Sequence, residues 1–307
     1  MVRTRRAAVR GERSSDDAFE STKDKGSSLP SEDHDTTEQP APLDHEAKTF
    51  TIPFGDKELR CQFHGTASTP SLIFTHGAGG GITTPACFEF AHGFSSHDSI
   101  LTFEGNMNLK SRTKAFNTTI EHVGFDKALG GRSMGARAAC LATIQDDRRT
   151  EALVLVSFPL VSGKKGESRE NALLELPEEV DVLFISGDRD SMCDLPHLRS
   201  VIQEMKARCW IVTVEGADHG MDWRPKACVQ DMRRRTGSIA AEWLRYREAG
   251  KRYSCLSWDA NAEAIQFDGW KDDVQTMLGV NDHDDAHEDE DSKEQQPPAK
   301  KRKRGKK

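Results

Sequence analysis

Several large classes of protein are excluded by what this 307-residue sequence lacks. No apolar run approaches the roughly 20 residues that a membrane-spanning helix needs, and no N-terminal stretch reads as a secretory signal. The seven cysteines, at 61, 87, 140, 193, 209, 228 and 255, are odd in number and scattered. They suggest neither a disulfide framework nor a metal site, and read as reduced thiols of an intracellular protein. No Cys/His cluster has zinc-ligand intervals. Gly77-x-Gly79 reaches Ile82 where a dinucleotide fingerprint requires Gly or Ala, and Gly163-Lys164-Lys165 lacks the Walker A spacing. No metal and no other cofactor is expected.

Large apolar side chains are also nearly absent from the two ends. Residues 1–46 are rich in Ser, Thr, Asp, Glu, Pro and Arg, and cannot bury enough surface to offset their ordering entropy, so they are expected to be disordered. Arg3, Arg5, Arg6, Arg10 and Arg13 suggest a transit peptide, but acidic residues begin at Glu12 and no apolar face develops. Residues 281–307 pass from an acidic block (Asp282 to Asp291) through Pro297-Pro298 to a basic run, Lys300–Lys307. That run reads as a nuclear localisation signal for an import receptor, and otherwise as a solvated tail or a weak polyanion contact. A nuclear location is expected, with the cytoplasm also open. The net charge of −7 is strongly segregated, and no general basic face for specific nucleic-acid binding follows from it. About 230 residues, 47–280, remain for one core: a domain over 47–250 and an appendage over 251–280 that packs on it.

Within that core, apolar runs of strand length alternate with helical patterns. Lys48–Pro53 and Glu58–Phe63 flank Gly55-Asp56 as a hairpin. Further strands are predicted at 71–75, 100–103, 126–130, 152–157, 180–186 and 209–214, and helices at 85–95, 111–122, 134–145, 195–207 and 225–247. Such alternation indicates a mostly parallel sheet of about eight strands with helices on both faces. Residues 252–270 suggest a small additional hairpin around Trp258 and Trp270.

Three loops follow predicted strand ends, the edge at which open α/β sheets place their ligands. The first is Gly131-Arg132-Ser133-Met134-Gly135, a Gly-x-Ser-x-Gly between a strand and an Ala-rich helix. A turn this tight strains the serine backbone and needs small neighbours. The second is Ser186-Gly187-Asp188-Arg189-Asp190, and the third Glu215-Gly216-Ala217-Asp218-His219. Their order, Ser then acid then His, is that of the α/β-hydrolase fold. A serine hydroxyl needs an imidazole to take its proton, and the imidazole needs a carboxylate to fix its tautomer. The catalytic candidates are therefore Ser133, Asp190 and His219. Asp190 is preferred to Asp188 because it lies farther from the strand end and can reach back across the loop. Oxyanion donors are expected from the N–H of Met134 and from Ala78 and Gly79 in the run His76-Gly77-Ala78-Gly79-Gly80-Gly81.

Each residue has a plainer reading. Ser133 could cap a helix, Asp188 or Asp190 could serve a turn, and His219 could edge the core. His76 is read as positioning the glycine loop and Asp218 as stabilising its own. Arg132, beside the nucleophile, could contact an anionic substrate, but a structural pair with a carboxylate such as Asp188 or Glu104 is the favoured reading. Only about 22 residues separate the strand at 152–157 from Val180, too few for a large cap domain, so a shallow open site is expected.

The chain resembles the α/β-hydrolase-like family of testis-expressed protein thirty and NSL complex subunit 3, as a fungal- or protist-type member. The resemblance is carried by Thr75–Gly80, Gly130–Gly135, Ser186–Asp190, Asp218-His219-Gly220 and the Gly105–Phe116 block with Asn106-Met107-Asn108 and Arg112-Thr113-Lys114-Ala115. It spans roughly residues 49–247 and implies the fold and the roles of Ser133, Asp190 and His219. Two functions follow as expectations. One is a serine hydrolase acting on a small ester or an acyl group, as an esterase or thioesterase. The other is a catalytically silent interaction module in a nuclear or chromatin complex.

Overall fold

The computed structural model describes residues 47–145, 150–162 and 166–272. The tails, 1–46 and 281–307, with their expected disorder and basic signal, lie outside the described residues, as do 273–280 of the expected appendage. The chain opens with β1 (Lys48–Phe54) and β2 (Lys57–His64), an antiparallel hairpin turned by Gly55-Asp56, with Gly55 at φ 60°. The parallel core follows as β3 (Leu72–Thr75), β4 (Ile100–Phe103), β5 (Ala128–Arg132), β6 (Ala152–Val156), β7 (Asp181–Gly187) and β8 (Arg208–Val214). Between and after these lie α1 (Pro85–Ser95), α2 (Leu109–Val123), α3 (Met134–Gln145), the single turn α4 (Asn171–Leu174), α5 (Leu195–Glu204) and α6 (Val229–Tyr246).

The sheet has ten strands rather than about eight, in the order β1-β2-β4-β3-β5-β6-β7-β8-β9-β10. The two additional strands are β9 (Tyr253–Asp259) and β10 (Ala264–Phe267). This segment continues the sheet, with Trp258, Ile265, Phe267 and Trp270 packed against the core: Tyr253–Leu256 pair in parallel with Ile211–Val214, and β10 returns antiparallel to β9. The pairing removes an open edge from β8, which would otherwise present unpaired N–H and C=O groups. Residues 253–259 are only partly buried and lack the apolar run that marks the central strands, which is why their place in the sheet is not apparent from composition.

Alternation along each central strand feeds two cores. On β6, Leu153 and Leu155 face the layer formed by α2, α3, α4 and α5, while Val154 and Val156 face α1 and α6. Helices α1 and α6 cross with almost no space between their backbones. A Cβ on Gly93 would lie 1.8 Å from the Arg234 carbonyl oxygen, and one on Gly237 would lie 2.0 Å from that of Phe90. Ser238 Oγ also donates to the Gly93 carbonyl, at 3.0 Å. Gly237→Ala is therefore expected to force the helices apart and cost about 3 kcal/mol, the upper end for an overpacked core, as a lowered urea midpoint.

His64 ends β2 under α1, edge-on to Phe88, with Nε2 buried and unpartnered among the described residues. Burial, with a smaller contribution from His92, lowers its pKa from 6.5 to about 4. The unfolded chain thus protonates first as the pH falls. Stability attributable to His64 is fully present above 6.5 and is lost as the pH drops toward about 4, by roughly 3 kcal/mol. His64→Phe is expected to flatten that part of a urea-unfolding pH profile.

Candidate active site

The sharp turn between β5 and α3 exists because two glycines allow contacts that no side chain would. A Cβ on Gly131 would meet Gly135 C at 2.3 Å, and one on Gly135 would meet the Thr75 carbonyl oxygen at 2.4 Å. Ser133 between them sits at φ 53°, in the left-handed region that disfavours a side chain. Its N–H donates to the Val156 carbonyl and its own carbonyl accepts from Arg137 N–H, so the strained residue is fixed on both sides. The side chain emerges at the carboxyl edge of the sheet beside the first turn of α3.

Two more loops converge on it. The segment after β8 brings His219 Nε2 to 2.9 Å from Ser133 Oγ. The segment after β7 brings both Asp190 carboxylate oxygens to His219 Nδ1, at 2.8 and 3.0 Å. A carboxylate only accepts, so Nδ1 carries the proton and Nε2 presents its lone pair to the hydroxyl. The Asp190 side chain is fully buried whereas that of His219 is 25% exposed, leaving the imidazole accessible from the rim. Asp190 Oδ1 also accepts the Met192 N–H at 2.8 Å, which orients the carboxylate. Asp188, the competing acid, is engaged elsewhere: its Oδ1 accepts the Gly216 N–H at 2.6 Å. Asp218 Oδ1 takes the N–H groups of Gly220 and Asp222 and so shapes the histidine loop.

Arg132 does not pair with Asp188 or Glu104. Its Nη2 donates to the backbone carbonyl of His219, and Nε is buried without an acceptor among the described residues. Burial, and secondarily the charge of Arg233, lowers its pKa. The side chain lies close under the glycine loop, since a Cβ on Gly77 would meet Nη1 at 2.8 Å. Arg233, from α6, closes the other side of the histidine loop by donating to the carbonyls of Gly220 and Met221 and to Asp222. Neither charge partner expected for Arg132 is used, because the loops offer carbonyls that have no strand or helix to receive them.

The glycine loop is held from below by His76 and by a residue whose importance the sequence does not announce. Gly105 N–H donates to His76 Nε2 at 2.9 Å, so His76 must donate from Nδ1 to the Gly77 carbonyl, at 2.7 Å. Burial and the neighbouring Arg112 both lower the pKa of His76, in keeping with a neutral ring. Arg112, on α2 and only 1% exposed, donates to the carbonyls of His76, Gly77, Gly105 and Asn106. Burial lowers its pKa to about 10. One guanidinium thus ties the glycine loop to the turn after β4. Its only sequence signal is membership of the Gly105–Phe116 block, since an arginine in a helical pattern otherwise reads as a solvated face.

The expected oxyanion donors divide. Met134 N–H heads α3 beside Ser133, and Ala78 N–H has no protein acceptor among the described residues. Gly79 N–H is directed instead to Met107 Sδ, at 3.0 Å, and is not free to face the serine. Gly79 itself sits at φ 67°, in the left-handed region that glycine adopts freely.

The ordering of the mixed sheet, the strained turn after its central strand and the position of Ser133 at the carboxyl edge define the α/β hydrolases as a class. The chain belongs to that family: residues 68–241 match the profile of the alpha/beta hydrolase domain. Among solved structures it is similar to Est1E from Butyrivibrio proteoclasticus, at 14% identity and a TM-score of 0.51, over 64% of this chain and 99% of that one. It is likewise similar to a hyperthermophilic esterase from the archaeon Pyrobaculum calidifontis, at 15% identity and a TM-score of 0.52, over 66% of this chain and 85% of the other. At these identities the likeness is one of fold.

Arg112→Met would leave buried carbonyls on two loops without a donor. It is expected to cost about 3 kcal/mol or more in urea unfolding, with Arg112→Lys recovering only part because an ammonium cannot reproduce the fork.

Proposed function

We propose that this protein is a serine hydrolase of the carboxylesterase or acyl-thioesterase type, with Ser133 as nucleophile, His219 as general base and acid, and Asp190 as the carboxylate that orients it. The reading is carried by the continuous relay from Ser133 Oγ through both ring nitrogens of His219 to Asp190. As Ser133 Oγ attacks the acyl carbon, its proton passes to His219 Nε2, and the imidazolium formed is stabilised by Asp190. The carbonyl oxygen becomes an oxyanion, received by the N–H groups of Met134 and Ala78; a lost donor of this kind costs about 3–4 kcal/mol in the transition state. Collapse breaks the bond to the leaving alcohol or thiol, which takes the proton from Nε2. Water then attacks the acyl-enzyme, giving its proton to Nε2, and the carboxylic acid leaves as Ser133 recovers its hydrogen.

The β6–β7 connection carries only the single turn α4 among its described residues, which favours a shallow site open to a small ester or to an acyl group on a larger carrier. The esterase names of the two fold neighbours accord with an ester substrate. The Gly130–Gly135 and Ser186–Asp190 blocks support a place in the branch of testis-expressed protein thirty and NSL complex subunit 3. The basic run Lys300–Lys307 supports a nuclear location through an import receptor.

A labelled fluorophosphonate is expected to modify the wild type, and Ser133→Ala to abolish that modification. On short-chain acyl esters and thioesters, Ser133→Ala and His219→Ala should each lower kcat by about 10⁴-fold or more, and Asp190→Asn by about 10⁴-fold. A folded wild type that neither labels nor turns over any of these substrates would replace this reading with that of a hydrolase-fold interaction module.

A further inference from the structure

A second concavity of about 240 Å³ opens on the flank of α3, between that helix and the segment leading into α4. Leu141 and Ala172 supply apolar surface to it, while Arg137, Arg169 and Asn171 supply donors. Its charges are unbalanced. Arg137 and Arg169 are both half-buried, and neither makes an ion pair with a carboxylate among the described residues. Burial, and then the charge of Arg169, lowers the pKa of Arg137, so the two guanidinium groups stand close enough to disfavour one another. Glu175 also borders the cavity, but it is exposed and pairs with neither arginine. Two like charges held in a partly desolvated hollow are costly unless an anion joins them, and half-buried guanidinium groups are ordinarily paired.

The place of this hollow in the fold bears on the reaction. Arg137 lies one helical turn beyond Ser133, whose carbonyl accepts its N–H. At 1.5 Å per residue, Arg137 and Leu141 lie about 6 and 12 Å along the helix from the serine. Arg169 is brought to the same side because its N–H donates to the Leu160 carbonyl at 2.8 Å, and Leu160 follows closely on Ser157, where β6 ends beside β5. Arginine forks match the oxygens of phosphate in a way that a lone ammonium does not, and the Asn171 amide adds a neutral donor. We infer that Arg137 and Arg169 form a phosphate-binding subsite, which receives a phosphate group carried by the acyl substrate. Its assignment to the substrate rests on the hydrolase reading; its affinity for phosphate does not.

Two measurements separate those claims. Inorganic pyrophosphate, followed by calorimetry and by ³¹P line broadening, is expected to bind the wild type, and Arg137→Gln and Arg169→Gln are each expected to weaken binding by about tenfold. Arg169 belongs to a connecting segment, so its variant guards against a folding defect at Arg137. Short-chain acyl thioesters of pantetheine, with and without the terminal phosphate, then distinguish a substrate-borne phosphate from a free one. The phosphorylated substrate is expected to show the higher kcat/KM in wild type, and either variant should lower that value about tenfold while leaving the unphosphorylated substrate unchanged. Pyrophosphate binding that is lost in the variants, with equal turnover of the two thioesters, would support a site for free phosphate and overturn its assignment to the substrate. Binding lost in the variants without turnover of either thioester would support the subsite and remove the hydrolase reading. Absence of pyrophosphate binding to the wild type, or binding unchanged in both variants, overturns the subsite.

Discussion

The close approach of the elbow backbone to the end of β3 is the constraint on which the site depends. Gly135 lies against the carbonyl oxygens of Thr75 and His76, and Gly131 against the peptide of Gly135. A methyl group at either position would push α3 off the sheet, moving Ser133 and the N–H of Met134 together. The left-handed conformation of Ser133 is tolerated because β5 and β6 hold one side of the turn and the first turn of α3 holds the other. The contact that forms the nucleophile elbow also presses the elbow against the glycine loop. The hydroxyl and the expected oxyanion donors are consequently registered by one packing event rather than by two independent loops.

Around this core the active-site loops share one physical problem. They carry backbone carbonyls that no strand or helix receives, and those groups need donors if they are not to face solvent irregularly. Three arginines supply them. Arg112 serves the glycine loop and the turn after β4, Arg132 serves His219, and Arg233 serves Gly220 and Met221. A guanidinium can bind several carbonyls at fixed angles, so each of these side chains sets the position of a loop as well as satisfying it. His219 is thus fixed twice, by Asp190 at its ring and by Arg132 at its backbone carbonyl. Imidazole and elbow are thereby both held, across a 2.9 Å contact, as the proposed proton relay would need.

Arg137 and Arg169 stand outside that pattern. Where Arg112, Arg132 and Arg233 are consumed by carbonyls, these two line an open hollow without any such partner. The arginines thus divide into those that hold loop carbonyls and those left facing a space, and the second kind has the character of recognition rather than scaffolding. The hollow lies along α3, beginning one turn beyond the serine.

Much of the architecture was open to reading because it rests on local rules. Residues 85–95 and 134–145 form helices with those limits, since a proline at one start and small residues after an elbow are local signals. Fully buried parallel strands such as β6 appear as continuous apolar runs for the same reason. The order Ser133, Asp190, His219 likewise follows from one residue type after each strand end. Other features depended on the folded chain. The β9–β10 hairpin joins the sheet through backbone pairing with β8, which half-exposed side chains do not reveal. The choice between Asp188 and Asp190 turns on which carboxylate faces the imidazole, and that is decided by the path of one loop. Gly79 directs its N–H to Met107, a residue 28 positions away that only the fold brings near. Arg112 and Arg132 bind carbonyls of residues far away in the chain, and a carbonyl has no letter in the sequence. Residue order therefore determined the elements and the chemical groups available. The tertiary structure decided which groups meet, because hydrogen bonds act over about 3 Å and that proximity exists only after the sheet has closed.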